Sequence, residues 1–269
     1  MKVKKHKNVT LARGTVKFFG ISMRVFIFVS EGVLVDTGPS SLRKVLSPFL
    51  LEQKLDSVAL THHHEDHTGN VSVTEKIGIP AYINPLSLPL CGTKAALPLY
   101  RKIVWGNREP FRALPLKPCL ETRGGSWQAI ETPGHCFDHM VFLNTREGDL
   151  FTGDVFVTPK TRVIMETENI PQIMDSLKKL LTLDFETLYC GHSGVVEKGR
   201  ELLAMKLDFL EDVRGRVLNL HQRGWSIKAI NKEIFPSTPP LTYISTGQWS
   251  SIHIIRTIVE HRPGNKKTG

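Results

Sequence analysis

Cysteine is scarce, with Cys91, Cys119, Cys136 and Cys190 the four copies in 269 residues. No two stand in a C-x-x-C spacing, which removes a zinc ribbon, a thioredoxin-like dithiol and a disulfide-stapled scaffold from consideration. Reduced thiols in a cytoplasm are the simpler expectation. Long apolar runs are missing too. The most hydrophobic early stretch, Val25-Phe-Ile-Phe-Val29, is cut by Ser30-Glu31-Gly32, and no apolar segment follows the basic N-terminus. Neither a signal peptide nor a membrane span is expected. There is no internal repeat and no low-complexity tract.

Acidic residues are in the minority: 26 Asp and Glu against 35 Lys and Arg leave a net charge of +9. Part of the excess sits in the terminal runs Met1 to Lys7 and His261 to Lys267, which weakens a direct inference of nucleic-acid binding. A basic surface raises encounter rates with anionic partners of every kind. It points to an anionic small-molecule substrate, leaves nucleic acid open and does not fix an oligomeric state. A hydrophobic content of 41% in a chain of this length suits one main core with a small appendage.

Short apolar strands are expected at Thr15 to Phe19, Met23 to Val29 and Val33 to Val35, the last running into Asp36-Thr-Gly-Pro. Ser40 or Ser41 can cap a helix through Leu50. Ser57 to Leu60 reads as a buried strand that delivers Thr61-His-His-His-Glu-Asp-His-Thr-Gly69, and a helix follows from about Asn70 to Ile77. Ala81 to Ile83 is another strand, and Pro85 to Tyr100 reads as a lid or packed connection. Further strands fall near Phe111 to Leu116, Trp127 to Glu131, Met140 to Asn144, Leu150-Phe151 and Thr187 to Cys190, with a helix over Pro171 to Leu181. Five strand ends thus carry polar, metal-coordinating residue types. From Gly199 the period becomes helical, with Leu202, Met205, Phe209, Val213 and Val217 on one face. The expected division is a domain over 1–198 and a helical subdomain over 199–269, in which Gly224 to Phe235 faintly suggests a winged-helix element.

His62-x-His64-x-Asp66-His67 is the strongest signal in the chain. A helix cannot aim residues two apart at one point, but a loop leaving a strand can turn His62 and His64 toward one ion and Asp66 and His67 toward a second. The spacing therefore suggests two metals. Imidazole and carboxylate donors suit Zn²⁺, and also Fe²⁺ or Mn²⁺, and there is no thiolate set of the kind that structural zinc prefers.

With Asp36 in Val-Asp-Thr-Gly, Thr132-Pro-Gly-His135, Thr152-Gly-Asp154 and Gly191-His192 following in order, the chain resembles the metallo-β-lactamase fold hydrolases. The resemblance implies an α/β fold, a four-layer αβ/βα sandwich, with a small C-terminal helical subdomain. It also implies a dinuclear site of two divalent ions, zinc foremost. His62, His64 and His135 would bind one ion, Asp66, His67 and His192 the other, and Asp154 would bridge them. Asp36 would orient a metal-binding histidine, and Asp66 would orient the attacking water. Asp154, where many true β-lactamases of this superfamily carry Cys, turns the expectation from antibiotics toward thioesterase and nuclease branches. Thr-Pro-Gly-His-Cys-Phe-Asp-His-Met140 is also similar to a branch with Asp-His after the metal histidine and a helical C-terminus, some members of which cut single-stranded RNA. Cys136 departs from the Ser or Thr usual there and reads as a small buried neighbour.

His63 and Glu65 fall on variable positions of the motif and read as solvent or pocket-wall residues. His139 could donate a proton or hold a substrate oxygen, but a satisfied structural histidine explains it equally well, and it is left out of the catalytic set. Lys160 and Arg162 could clamp an anionic substrate, as could Arg101 and Lys102, but cations on loops read more simply as solvated. The functional expectation is a dinuclear hydrolase of a small ester, thioester or lactone. A single-strand RNA or DNA phosphodiesterase on the same site is the alternative, favoured by charge but not by any aromatic and basic stacking stripe. A metal-sensing regulatory protein is the third reading.

Overall fold

The computed structural model describes residues 1–261; of the basic run His261 to Lys267, all but His261 lies outside the described residues. Two compact units emerge. The first comprises Met1–Glu131, Asp138–Val157 and Asp184–Gly199, and the second Thr132–Phe137, Thr158–Leu183 and the chain from Arg200 onward.

The first unit holds two sheets. One has seven strands in chain order: β1 (Lys2–His6), β2 (Val9–Phe18), β3 (Ile21–Ser30), β4 (Val33–Val35), β5 (Ser57–Ala59), β6 (Ala81–Ile83) and β7 (Leu114–Pro115). β1 to β4 pair antiparallel through tight turns, and β4 to β7 pair parallel. Phe19-Gly20 and Glu31-Gly32 link their strands with positive φ at both positions, the twist that two-residue hairpins require. The second sheet contains β8 (Cys119–Thr122), β9 (Gly125–Glu131), β10 (Met140–Asn144), β11 (Asp149–Gly153), β13 (Thr187–Cys190) and β14 (Gly194–Val196), in the order β14-β13-β11-β10-β9-β8.

Alternation along the strands explains the layering. Phe26, Phe28, Val33 and Val35 turn one face of the first sheet onto Trp127, Met140, Phe142, Phe151 and Tyr189 of the second. Phe151 anchors this core, stacked on Trp127 with ring centroids 4.9 Å apart. Ile27, Leu34, Val58 and Ile83 point the other way, under Leu46, Phe49 and Leu50 of α1 (Arg43–Glu52) and Val71 of α3 (Val71–Glu75). Burial on both faces is why β3 to β6 read as continuous apolar runs. Between β5 and α3 lies the four-residue α2 (Glu65–Thr68), and α4 (Leu88–Cys91) and α5 (Leu99–Trp105) occupy the connection from β6 to β7.

Three local expectations shift. The strand expected over Phe111 to Leu116 shrinks to β7, where Pro115 has no N–H to donate and ends the sheet. The connection after β6 is helical rather than irregular. The lysine-rich run at the start is β1, an exposed edge strand whose Lys2, Lys4 and Lys5 discourage pairing by a further chain.

In the second unit, α6 (Ile170–Leu181) starts at Asn169, whose Oδ1 accepts from the Gln172 N–H at 3.0 Å. The long α7 (Gly199–Gln222) is followed by α8 (Ile227–Ile234), α9 (Pro240–Ile244) and α10 (Ile252–Val259). Ser226 caps α8, as its sequence indicates, and Ile230 is the residue of that helix that is buried. β12 (Ile164–Met165) and β15 (Trp249–Ser250) form a two-residue antiparallel pair. Among the described residues no helix is long and apolar enough to cross a membrane.

Candidate metal centre

The ends of β4 and β5 lie side by side because the two strands pair in parallel, and this places Asp36 next to Thr61. Asp36 adopts φ +59°, a left-handed conformation that Asp tolerates better than most residues. Its carboxylate accepts the Thr61 N–H at 2.9 Å and the Thr61 hydroxyl at 2.9 Å, and meets Nδ1 of His67 at 2.7 Å. A carboxylate only accepts, so Nδ1 of His67 carries a hydrogen and Nε2 is the ring nitrogen turned inward.

The same reasoning fixes His62. The single hydroxyl proton of Thr61 goes to Asp36, so Nδ1 of His62, 2.9 Å from that hydroxyl, is the donor. Its Nε2 then faces Nδ1 of His64 at 3.0 Å, two ring nitrogens aimed at one point. His192 follows Gly191 past β13. Its Nδ1 donates to the carbonyl of Arg24 at 2.8 Å, so here too Nε2 looks inward. Gly191 has to be glycine, since a Cβ there would come within 2.8 Å of the His67 ring.

Asp66, His67, Asp154 and His192 form one cluster whose donor atoms all lie within 4.8 Å of one another. Nε2 of His192 is 3.3 Å from Asp66 and 3.2 Å from Asp154, and Nε2 of His67 is 3.4 Å from Asp154. Burial opposes charge on each group, yet the mutual interactions outweigh it. Burial raises the carboxyl of Asp154, but His192 and His67 hold it well below the usual range, and Asp66 is lowered by the same two rings. Burial lowers His67, but Asp154, Asp36 and Asp66 raise it well above the ordinary histidine value; Asp154 and Asp66 do the same for His192.

These residues fit a divalent cation. Nε2 of His67 is buried with no hydrogen-bond partner among the described residues, a costly arrangement for an isolated imidazole. Two inward ring nitrogens and two carboxylates converge on one spot, where a cation would take the place of the ring protons that the carboxylates otherwise favour. The donors are nitrogen and oxygen, the set that Zn²⁺, Fe²⁺ and Mn²⁺ share.

His135 lies in the 132–137 segment of the second unit. Its Nδ1 is 3.3 Å from Glu168, whose other oxygen accepts the Met165 N–H at 2.9 Å. Glu168 thus does for His135 what Asp36 does for His67. Gly134, at φ +130°, has to be glycine, because a Cβ would meet the Ile173 backbone at 2.5 Å. Cys136 beside it is buried, and none of the four cysteines is in a disulfide.

The lesser candidates divide. Glu65, expected at solvent or on a pocket wall, is buried and ion-paired with Arg101 through two bonds of 2.6 and 2.7 Å. Arg101 is accordingly not a solvated cation; it fastens α5 to the metal motif because a buried carboxylate needs a fork of donors. His63 stands half-buried against Asp138 at 2.8 Å. His139 is fully buried, and its Nε2 accepts the Asp154 N–H at 3.0 Å. Lys102, Lys160 and Arg162 are exposed, as expected. Sequence reasoning missed Glu168, Thr61 as the partner of His62, and Trp105, whose ring centroid is 6.1 Å from that of His192. Glu168 gave no local signal, since its partner lies far back in the chain, and Trp105 falls just beyond the stretch from Pro85 to Tyr100 that reads as a lid or packed connection.

A family model for the metallo-beta-lactamase superfamily matches residues 26–192. Among curated relatives, the atrochrysone carboxyl ACP thioesterase of Aspergillus fumigatus is 28% identical over 204 residues, 72% of this chain and 58% of the relative. The chain spans about half the length of the curated relatives it matches first. A metallo-beta-lactamase family protein from Thermus thermophilus has a similar fold, with a TM-score of 0.64 at 19% identity, covering 94% of this chain and 91% of that one. TTHA1623, crystallised in a di-iron-bound form, gives a TM-score of 0.55 at 27% identity, covering 70% of this chain and 96% of its own.

Proposed function

The chain belongs to the metallo-beta-lactamase superfamily, and from that premise we propose that it is a dinuclear metal-dependent hydrolase of a small ester, thioester or lactone. The observation that carries the reading is the inward Nε2 of His67, buried without a hydrogen-bond partner among the described residues and set beside Asp154, Asp66 and His192. His62, His64 and His135 would hold one ion, Asp66, His67 and His192 the second, and Asp154 would bridge. Zinc fits these donors, and so does iron, which TTHA1623 carries. When bound, the ions would lower the pKa of water and polarise the electrophilic oxygen of the substrate.

The chain's own residues do the rest. Asp36, Thr61 and the Arg24 carbonyl hold His67, His62 and His192 in the tautomer that presents Nε2, so the rings need not reorganise to bind. Asp66, free to turn one oxygen away from the ring contacts, would orient the attacking water. Trp105 and the α5 helix fastened by Arg101 supply a wall beside His192. The thioesterase among the relatives favours an acyl substrate. The net charge of +9 also suits a phosphodiester.

The test pairs a panel of acyl thioesters, esters and lactones with labelled single-stranded RNA, using wild-type protein and Asp154→Ala. Acyl hydrolysis that disappears in D154A supports the reading. RNA cleavage lost in the same variant transfers the site to a phosphodiesterase, and turnover of neither panel by metal-loaded protein rejects both.

A further inference from the structure

Three consecutive residues at the start of β10, none of them a ligand in the proposed site, hold the two chain segments that carry ligands. The Met140 N–H donates to the Thr61 carbonyl at 2.7 Å. Asp138, fully buried, accepts the His63 N–H at 2.9 Å, takes the Ser87 hydroxyl at 2.6 Å and meets the His63 ring at 2.8 Å. His63 stands between His62 and His64, so its amide fixes the backbone from which both rings project. On the other side, Nε2 of His139 accepts the Asp154 N–H at 3.0 Å. An amide only donates, so this nitrogen carries the lone pair. The contact leaves no slack: a Cβ on Gly153 would lie 2.7 Å from that Nε2 and 2.9 Å from the Thr61 side chain, and φ +47° already requires glycine there. The His139 ring also lies against that of His62, centroids 5.1 Å apart.

We infer that Asp138 and His139 are paired positioning residues, a strut that sets the spacing between the His62–His64 loop and Asp154 and so determines whether two ions can be held together. This rests on the dinuclear reading above. The alternatives fit the geometry less well. His139 as a proton donor conflicts with a Nε2 that accepts from a backbone amide. Asp138 as a ligand conflicts with a carboxylate already engaged by three donors. Buried outer partners of ligands are worth about 10–100-fold in metal affinity.

The test is zinc binding, read by competition with a chelator of known affinity and by bound-metal analysis, so it does not depend on any substrate. Two replacements of His139 differ in reach. The side-chain carbonyl of Gln extends to the place of Nε2, whereas that of Asn stops short of the Asp154 amide. H139Q is expected to keep two ions. H139N, with its melting temperature as a check on folding, is expected to keep one and release the other about 10–100-fold more readily. Asp138→Ala is the independent arm, and it is expected to loosen the ion on the His62–His64 side by about tenfold while the other is retained.

Wild-type protein that binds two ions alongside an H139N that also holds both overturns the strut and leaves the dinuclear reading standing. H139N and H139Q that lose metal alike overturn it too, since an acceptor within reach of the Asp154 amide would then not be what holds the spacing. Unchanged release from both sites in D138A does the same, whether or not H139N folds. Wild-type protein that binds fewer than two ions overturns the dinuclear reading itself, and the strut with it.

Discussion

Asp149 opens β11 as a fully buried carboxyl whose Oδ1 has no hydrogen-bond partner among the described residues. Burial pushes it up to about 6 despite the opposing influence of Lys7, with Glu147 and Glu31 adding to the rise. The folded protein therefore holds this proton up to about pH 6, while an unfolded chain releases it near pH 4. The folded state binds more protons in that window, so this group's contribution to stability falls as pH rises from about 4 through 6 and is flat above. Asp149→Asn is expected to stabilise the protein by about 1–2 kcal/mol at pH 7.5 and to change nothing below pH 4, as urea titrations at the two pH values will show. Its burial was not legible in the sequence, where the expected strand begins only at Leu150. The metal motif was legible for the opposite reason: His62 to His67 follow directly on one strand, from the end of β5 into the single turn of α2, and His, Asp and Gly at strand ends have little other use. Glu168 and the Arg24 carbonyl could not be read, because a single acid or a main-chain oxygen gains its role only when distant segments meet.

At the scale of elements, α5 illustrates how one residue can tie a whole helix to the site. Glu65 is buried within the metal motif, and burial raises its carboxyl although Arg101 opposes the rise. Removing the guanidinium leaves a buried, unpaired carboxylate, so Arg101→Leu is expected to cost about 3–5 kcal/mol, visible as a fall in melting temperature. The double variant Glu65→Leu with Arg101→Leu should recover most of that loss, because the buried charge disappears with its partner. Periodicity placed the interior strands and the existence of α6 and α7, but it misjudged the face of α7, where Leu203, Leu207 and Leu210 are buried and Met205 is exposed, and the five-residue α9 offered no period to read. It failed at β1, where exposed lysines conceal the backbone pairing, and at β7, where a two-residue strand has no period to show.

For the molecule as a whole, the mutual arrangement of carboxylates and inward imidazoles links stability to metal. Ligands that bind the folded chain alone stabilise it by about 2.7 kcal/mol at a hundredfold excess over Kd. Chelation is therefore expected to lower the melting temperature by several degrees and zinc to restore it, whereas Asp154→Ala should show little of either change in a thermal scan. The αβ/βα fold was legible from the order of motifs. The company that 132–137 and 158–183 keep with the chain beyond Arg200 was not, because it follows from contacts between segments remote in sequence.

The fastening of α5 also bears on inheritance. Most ligand-bearing loops hang from β5, β11 and β13, while the stretch from Pro85 to Asn107 forms an excursion between β6 and β7, joined to the metal motif by the Arg101 guanidinium, to Asp138 by the Ser87 hydroxyl and to Ser40 by the Trp105 and Asn107 carbonyls. Such an excursion can be exchanged as a module. A graft from a relative should bring a new substrate preference without disturbing metal content, provided an arginine arrives opposite Glu65 and a hydroxyl opposite Asp138. If it does not, the donor's specificity will come with a loop that no longer closes over its own acid.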